Sequence, residues 1–201
     1  PSISFNFLST KVSQQFSLPY YFAIDQDKEL LITPTINYGG GVDSSQKITY
    51  EYIQLTSGGD LSISASNETN FEKQNNENWL RDASIILKLN QNLNENYKIS
   101  LSSAFQTTPT YLRRTDQNNL LNRKSTLDTT FNLNGYEVLE TNDTLAFTIA
   151  GYQVVRNNED NKTTPTSFPF VKYVSGIRDF KGNNYKSNLI SYNIFRDTAT
   201  D

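Results

Sequence analysis

A two-residue hydrophobic period runs through most of this chain and leaves little room for anything but β-structure. In Leu61-Ser62-Ile63-Ser64-Ala65-Ser66 one face is Leu, Ile and Ala and the other is all Ser. In Tyr97–Phe105, Tyr97, Ile99, Leu101 and Phe105 alternate with Lys98, Ser100, Ser102 and Ala104. In Ser125–Asn134, Leu127, Thr129, Phe131 and Leu133 alternate with Thr126, Asp128, Thr130, Asn132 and Asn134. Successive side chains of an extended chain point to opposite faces, so this period reads as strands with two different environments. The pattern predicts strands over 3–8, 14–24, 29–37, 47–55, 60–67, 80–90, 96–105, 125–138, 143–155, 167–174 and 185–196, and no helix. Turn-rich stretches separate them, alternately short and long, which predicts an antiparallel up-and-down meander.

The composition of the polar face selects the class. A soluble β-sandwich buries both inner faces and tends to expose charge. Here the polar face is mostly Ser, Thr and Asn. Several predicted strands are longer than the usual soluble mode of about 5–6 residues. A transmembrane barrel has strands of this kind, apolar toward lipid and polar toward the lumen. The mean hydropathy of −0.58 would suit a disordered chain. The 12 Tyr and 12 Phe do not, because disordered segments are aromatic-poor. The fold-class expectation is therefore all-β: an antiparallel meander forming part of a transmembrane β-barrel, an incomplete, open and curved sheet.

Composition also excludes functions. The chain has no Cys and no His, which removes disulfides, thiol nucleophiles, the usual zinc sites and Ser-His-Asp triads. A net charge of −3 argues against nucleic acid as a partner. The chain begins at Pro1 and holds no Met, which reads as a segment of a longer product. No cofactor and no catalytic residue is expected.

One hairpin breaks a rule of its own architecture. Leu18–Ile24 and Glu29–Ile36 flank a turn at Asp25-Gln26-Asp27-Lys28, and each arm carries a proline, Pro19 and Pro34. Proline has no N–H to donate to a ladder and is normally confined to strand ends, edges and bulges. A turn centred between Gln26 and Asp27 sets the two prolines directly opposite each other. Two lost hydrogen bonds of about 0.5–1.5 kcal/mol each would weaken that rung by roughly 1–3 kcal/mol. Such a hairpin is either an edge or a seam meant to open.

Two other groups stand out. Asp25, Asp27 and Glu29 cluster at the turn, but the calcium-loop spacing is absent, so they read as a solvated turn. Thr110-Tyr111-Leu112-Arg113-Arg114-Thr115-Asp116 sets two Arg on opposite faces just before a long strand. Arg is costly at mid-bilayer, so Arg113 and Arg114 belong at a rim or in a loop, where they could contact phosphate or carboxylate.

Leu18-Pro19-Tyr20-Tyr21-Phe22-Ala23-Ile24, the acidic turn and Leu31-Ile32-Thr33-Pro34 resemble the first barrel hairpin of the LptD (OstA) family of outer-membrane lipopolysaccharide-assembly proteins. Tyr50-Glu51-Tyr52, Gly59-Asp60-Leu61, Thr110–Arg114, Phe168-Pro169-Phe170-Val171 and Ile194–Asp197 are similar to later segments of that family, in order. Pro1–Phe7 is similar to the segment that joins its periplasmic jelly-roll to the barrel, so the resemblance implies that residues 1–12 are the end of the jelly-roll or a connector and 13–201 the N-terminal strands of the barrel. The resemblance implies a transporter rather than an enzyme, located in the Gram-negative outer membrane. It implies lipopolysaccharide as cargo, with an LptE-like lipoprotein plug, periplasmic Lpt bridge proteins acting through a jelly-roll, and outer-membrane lipids as partners. It also implies that Pro19 and Pro34 weaken a lateral gate. The disulfides of the best-studied members cannot carry over to a segment without Cys. Two other readings stand beside this one: another outer-membrane barrel, such as a porin or uptake receptor, and a soluble β-sandwich that binds glycans through Tyr and Trp79.

Overall fold

The computed structural model describes residues 2–8, 11–39, 44–70, 81–109, 111–112, 124–139, 142–155, 164 and 166–195. In chain order the strands are β1 (Ser2–Leu8), β2 (Lys11–Ser17), β3 (Tyr20–Asp25), β4 (Lys28–Gly39), β5 (Ser45–Thr56), β6 (Gly59–Asn70) and β7 (Arg81–Asn92). They continue with β8 (Tyr97–Gln106), β9 (Thr126–Tyr136), β10 (Thr144–Val154), β11 (Thr166–Val174), β12 (Arg178–Phe180), β13 (Asn183–Tyr185) and β14 (Asn188–Phe195). Twelve strands form one sheet in the order β1-β2-β4-β5-β6-β7-β8-β9-β10-β11-β14, with β3 also on β4; β12 and β13 form a separate ribbon. The sheet is an antiparallel up-and-down meander in which, among the described residues, β1 and β14 are the unpaired ends of the order. Among the described residues, no helix is long and apolar enough to cross a membrane.

The expected strand set is present, with two differences, the split of 14–24 and an added hairpin. Ser2–Leu8, expected as a strand over 3–8, pairs with Lys11–Ser17 in the main sheet. The expected strand 14–24 is two strands, β2 and β3, which lie end to end along the same side of β4. A small hairpin, β12–β13, occupies the connection between β11 and β14. Its two-residue loop, Lys181-Gly182, has positive φ at both positions, 54° and 77°. That is the turn geometry whose twist matches a two-residue hairpin, and it explains the glycine.

The chain divides into two compact units. One holds residues 1–55, 62–86 and 105–122, and the other 56–61, 87–104 and 123–201. In the first, polar side chains bond to one another across neighbouring strands. Ser17 and Thr35 hydroxyls lie 2.9 Å apart, Asn37 Nδ2 donates to Ser45 Oγ at 3.1 Å, and Ser45 Oγ donates to Glu68 Oε1 at 2.6 Å. In the second, Asn132 Nδ2 donates to Ser100 Oγ at 3.3 Å and Thr148 Oγ1 donates to Asn132 Oδ1 at 2.8 Å. The alternate positions there set Leu101 beside Phe131 and Ile99 beside Leu133, and these in turn beside Ile149 and Phe147.

Among the described residues, polar side chains are buried as often as apolar ones. The buried side chains include Thr35, Ser45, Ser66, Glu68, Asp82, Ser84, Gln106, Asp143 and Ser175. The buried apolar ones are few and mostly small: Ala104, Tyr111, Leu112, Leu127, Ala150, Val154 and Val155. Exposed instead are large apolar groups such as Phe16, Tyr38, Tyr50, Ile53, Ile85, Phe105, Tyr152, Ile190 and Tyr192. A glycan-binding sandwich would show the reverse, an apolar layer between two sheets.

Candidate functional site

The first seam of the sheet is built from β2, the Leu18-Pro19 break, β3 and β4. Its turn forms where expected: Asp25 pairs with Lys28 around Gln26 and Asp27. Between Ala23 and Asp25, however, the register shifts by one, because Ile24 is an extra residue on the β3 side. From there on Phe22 pairs with Leu30 and Tyr20 with Ile32. The prolines therefore do not face each other. Continuing the register from Tyr20↔Ile32 to Ser17↔Thr35 sets Pro19 against Thr33 and Pro34 against Leu18.

The one-residue offset changes what each proline removes. Leu18 N donates to Pro34 O at 3.1 Å, so this is a hydrogen-bonding pair. In such a pair each residue normally exchanges both bonds. The return bond, from residue 34 to Leu18 O, is the one that Pro34 cannot make. Consecutive residues of a strand aim their N–H groups to opposite sides, so position 19 aims away from β4. Pro19 thus deletes no donor between β3 and β4. It lies on the side where β1 pairs with β2 as far as Ser2↔Ser17. By the same alternation Pro34 costs nothing against Ile48 of β5, with which it makes a non-hydrogen-bonded pair. The seam is short of one bond, about 0.5–1.5 kcal/mol, rather than two.

Side chains close the seam on both sides of this gap. Ser17 and Thr35 bond at the β2 end, and Tyr21 OH donates to Glu29 Oε2 at 2.8 Å at the β3 end. Every residue of β3 is exposed, including Tyr21 at 63% and Ile24 at 56%. Among the described residues β3 pairs with β4 alone. A strand with one neighbour and no buried face is held chiefly by its ladder, here with the Tyr21–Glu29 bond beside it, so one missing rung is a sizeable share of its anchorage.

The acidic turn holds no cation site. Lys28 Nζ lies 3.7 Å from Asp25 and 4.0 Å from Asp27, and Glu29 is engaged by Tyr21. Among the described residues no group of acidic side chains is arranged to hold a metal. Arg113, Arg114 and Trp79 lie outside the described residues.

A second polar centre lies on Asp143, in the turn between β9 and β10. Its carboxylate accepts from Val138 N at 2.6 Å, Leu139 N at 2.9 Å and Tyr173 OH at 2.9 Å. It ties the turn to β11 and is an internal brace, almost wholly buried. No protein-family model and no curated protein matches the chain.

Proposed function

We propose that this chain forms part of the wall of an outer-membrane β-barrel that delivers lipopolysaccharide, and that the seam between β2/β3 and β4 is its weak lateral rung. The observation that carries this reading is the burial among the described residues, with Ser, Thr, Asp, Glu and Gln side chains enclosed and large apolar groups exposed. Lipid rewards apolar surface and gives nothing to exposed polar side chains, whereas a watery lumen does the opposite. Strand length agrees: β4 to β7 have 12 residues each, and a tilted span needs about 9–11. The lipopolysaccharide assignment rests on the resemblance of 18–36 to the gate hairpin of the LptD family, together with the placement of Pro34's missing donor toward the edge.

Depletion of the complete gene product in its host, with complementation by wild type or by Pro34→Ala, tests both parts. The expected result is an outer-membrane protein whose folded form migrates differently before and after boiling, and whose depletion removes lipopolysaccharide from the cell surface. Recovery in the soluble fraction would overturn the barrel. An inserted barrel whose loss leaves surface lipopolysaccharide intact would make it a porin or uptake receptor instead.

A further inference from the structure

The turn that follows β8 folds back over the polar face of the first unit. Thr107 N donates to Ala83 O at 2.9 Å, and Ala83 N donates to Thr107 Oγ1 at 2.8 Å. Thr108 Oγ1 donates to Asp82 Oδ1 at 3.0 Å. Gln106, itself buried, spans the turn: Nε2 donates to Pro109 O at 2.8 Å and Oε1 accepts from Leu112 N at 2.9 Å. Tyr111 N donates to Thr108 O at 3.2 Å. The result is that the Tyr111 ring, fully buried, is laid onto β6 and β7. Its hydroxyl lies 3.0 Å from Ser66 Oγ, which is 2.9 Å from Ser84 Oγ.

This is an unusual place for an aromatic ring. Connecting segments normally run over the surface and stay exposed, since a buried loop must satisfy its own polar backbone. Here Thr107 and Pro109 do stay exposed, while Gln106 and Thr108 hydrogen-bond the part of the turn that brings Tyr111 and Leu112 inward. Tyr111 and Leu112 are large apolar groups buried on the polar side of the sheet, where Ser66 and Ser84 would otherwise meet water.

We infer that this turn is a built-in constriction, which obstructs the aqueous path along the polar face and holds it narrow. The inference rests on the proposed function, in which the polar face lines a lumen. A barrel that must pass an amphiphile sideways through a seam gains from a lumen closed to small hydrophilic solutes. The constriction is held by many polar contacts of modest worth. Tyr111→Phe, which keeps the ring and removes the hydroxyl, shifts the balance between docked and undocked turn by roughly two- to tenfold. Tyr111→Ala removes the obstruction itself.

The chain has no cysteine, so Ser84→Cys supplies a single thiol within it, placed under the turn. The complete gene product carrying Ser84→Cys is exposed, in intact cells, to a membrane-impermeant maleimide, and the purified protein is read for conductance in planar bilayers. Slow labelling and low conductance are expected with Tyr111 in place. Both rise with Tyr111→Ala, and Tyr111→Phe lies between. Ser66→Cys repeats the measurement from the neighbouring strand, and heat-modifiable migration checks that each variant is folded. Equal labelling rates with and without the Tyr111 ring, in folded variants, would overturn the constriction while leaving the barrel standing. Absence of heat-modifiable outer-membrane protein in the wild type, read before any labelling, would instead remove the barrel and the constriction with it.

Discussion

Pro34 acts on one side of its strand only. Its missing N–H faces Leu18, while its pairing with Ile48 never used that donor. Alanine at this position regains a ladder bond and should stabilise the folded protein by about 0.5–1.5 kcal/mol. Pro19→Ala gains no bond to β4 and should change the strength of the seam by less. Midpoints of heat-modifiable migration for the two variants, singly and combined, measure this asymmetry. Equal gains from both would mean that both donors face β4 and that Pro19 does not sit against Thr33. The two prolines and their anomaly are legible in the amino-acid sequence. Their offset is not, because it depends on Ile24 being looped out of the ladder, and nothing in Ala23-Ile24-Asp25 favours a bulge at that position over continuous pairing. One inserted residue separates a doubly broken rung from a singly broken one.

At the scale of elements, the strands are legible because alternation is a local property. β4 to β11 begin and end within about three residues of where the two-residue period places them, an uncertainty expected of element ends. What is not legible depends on contacts distant in sequence. The split of β2 from β3 is one case. The burial of Tyr111 is another: its partner Ser66 is 45 positions away, and the motif around it stands out in the sequence for its arginines instead. Tight hairpins make their own demands. A Cβ added at Gly59 would fall 1.8 Å from Asn90 O and 2.7 Å from Asn90 C, both backbone atoms that cannot move aside without moving β7. Gly59→Ala should therefore push β6 from β7 and lower the yield of folded protein. Gly151→Ala, whose added Cβ meets no atom within 4 Å, should leave it unchanged. Refolding yields in detergent compare the two, and equal yields would show that β6 and β7 approach each other less closely at Gly59.

For the molecule as a whole, the question is which solvent the apolar face meets, and a charge placed on each face answers it. Ile85 lies on the apolar side of β7, 44% exposed, while Ser64 lies on the polar side of β6. If the apolar face met water, Ile85→Lys would be one more surface substitution, within about 0.5 kcal/mol of wild type. If it meets hydrocarbon, a lysine near the midplane costs about 2–4 kcal/mol. Ser64→Lys, pointing into a wet lumen, escapes that cost on the membrane reading. The two readings thus predict opposite orders of damage. Folding into lipid vesicles, followed by heat-modifiable migration and by unfolding in denaturant, should show Ile85→Lys strongly destabilised and Ser64→Lys close to wild type. The reverse order would place water on the apolar side, and the exposed apolar groups would then mark a sheet that another protein surface covers. The comparison needs no knowledge of the cargo, so it tests the membrane assignment apart from the seam, the constriction and lipopolysaccharide itself.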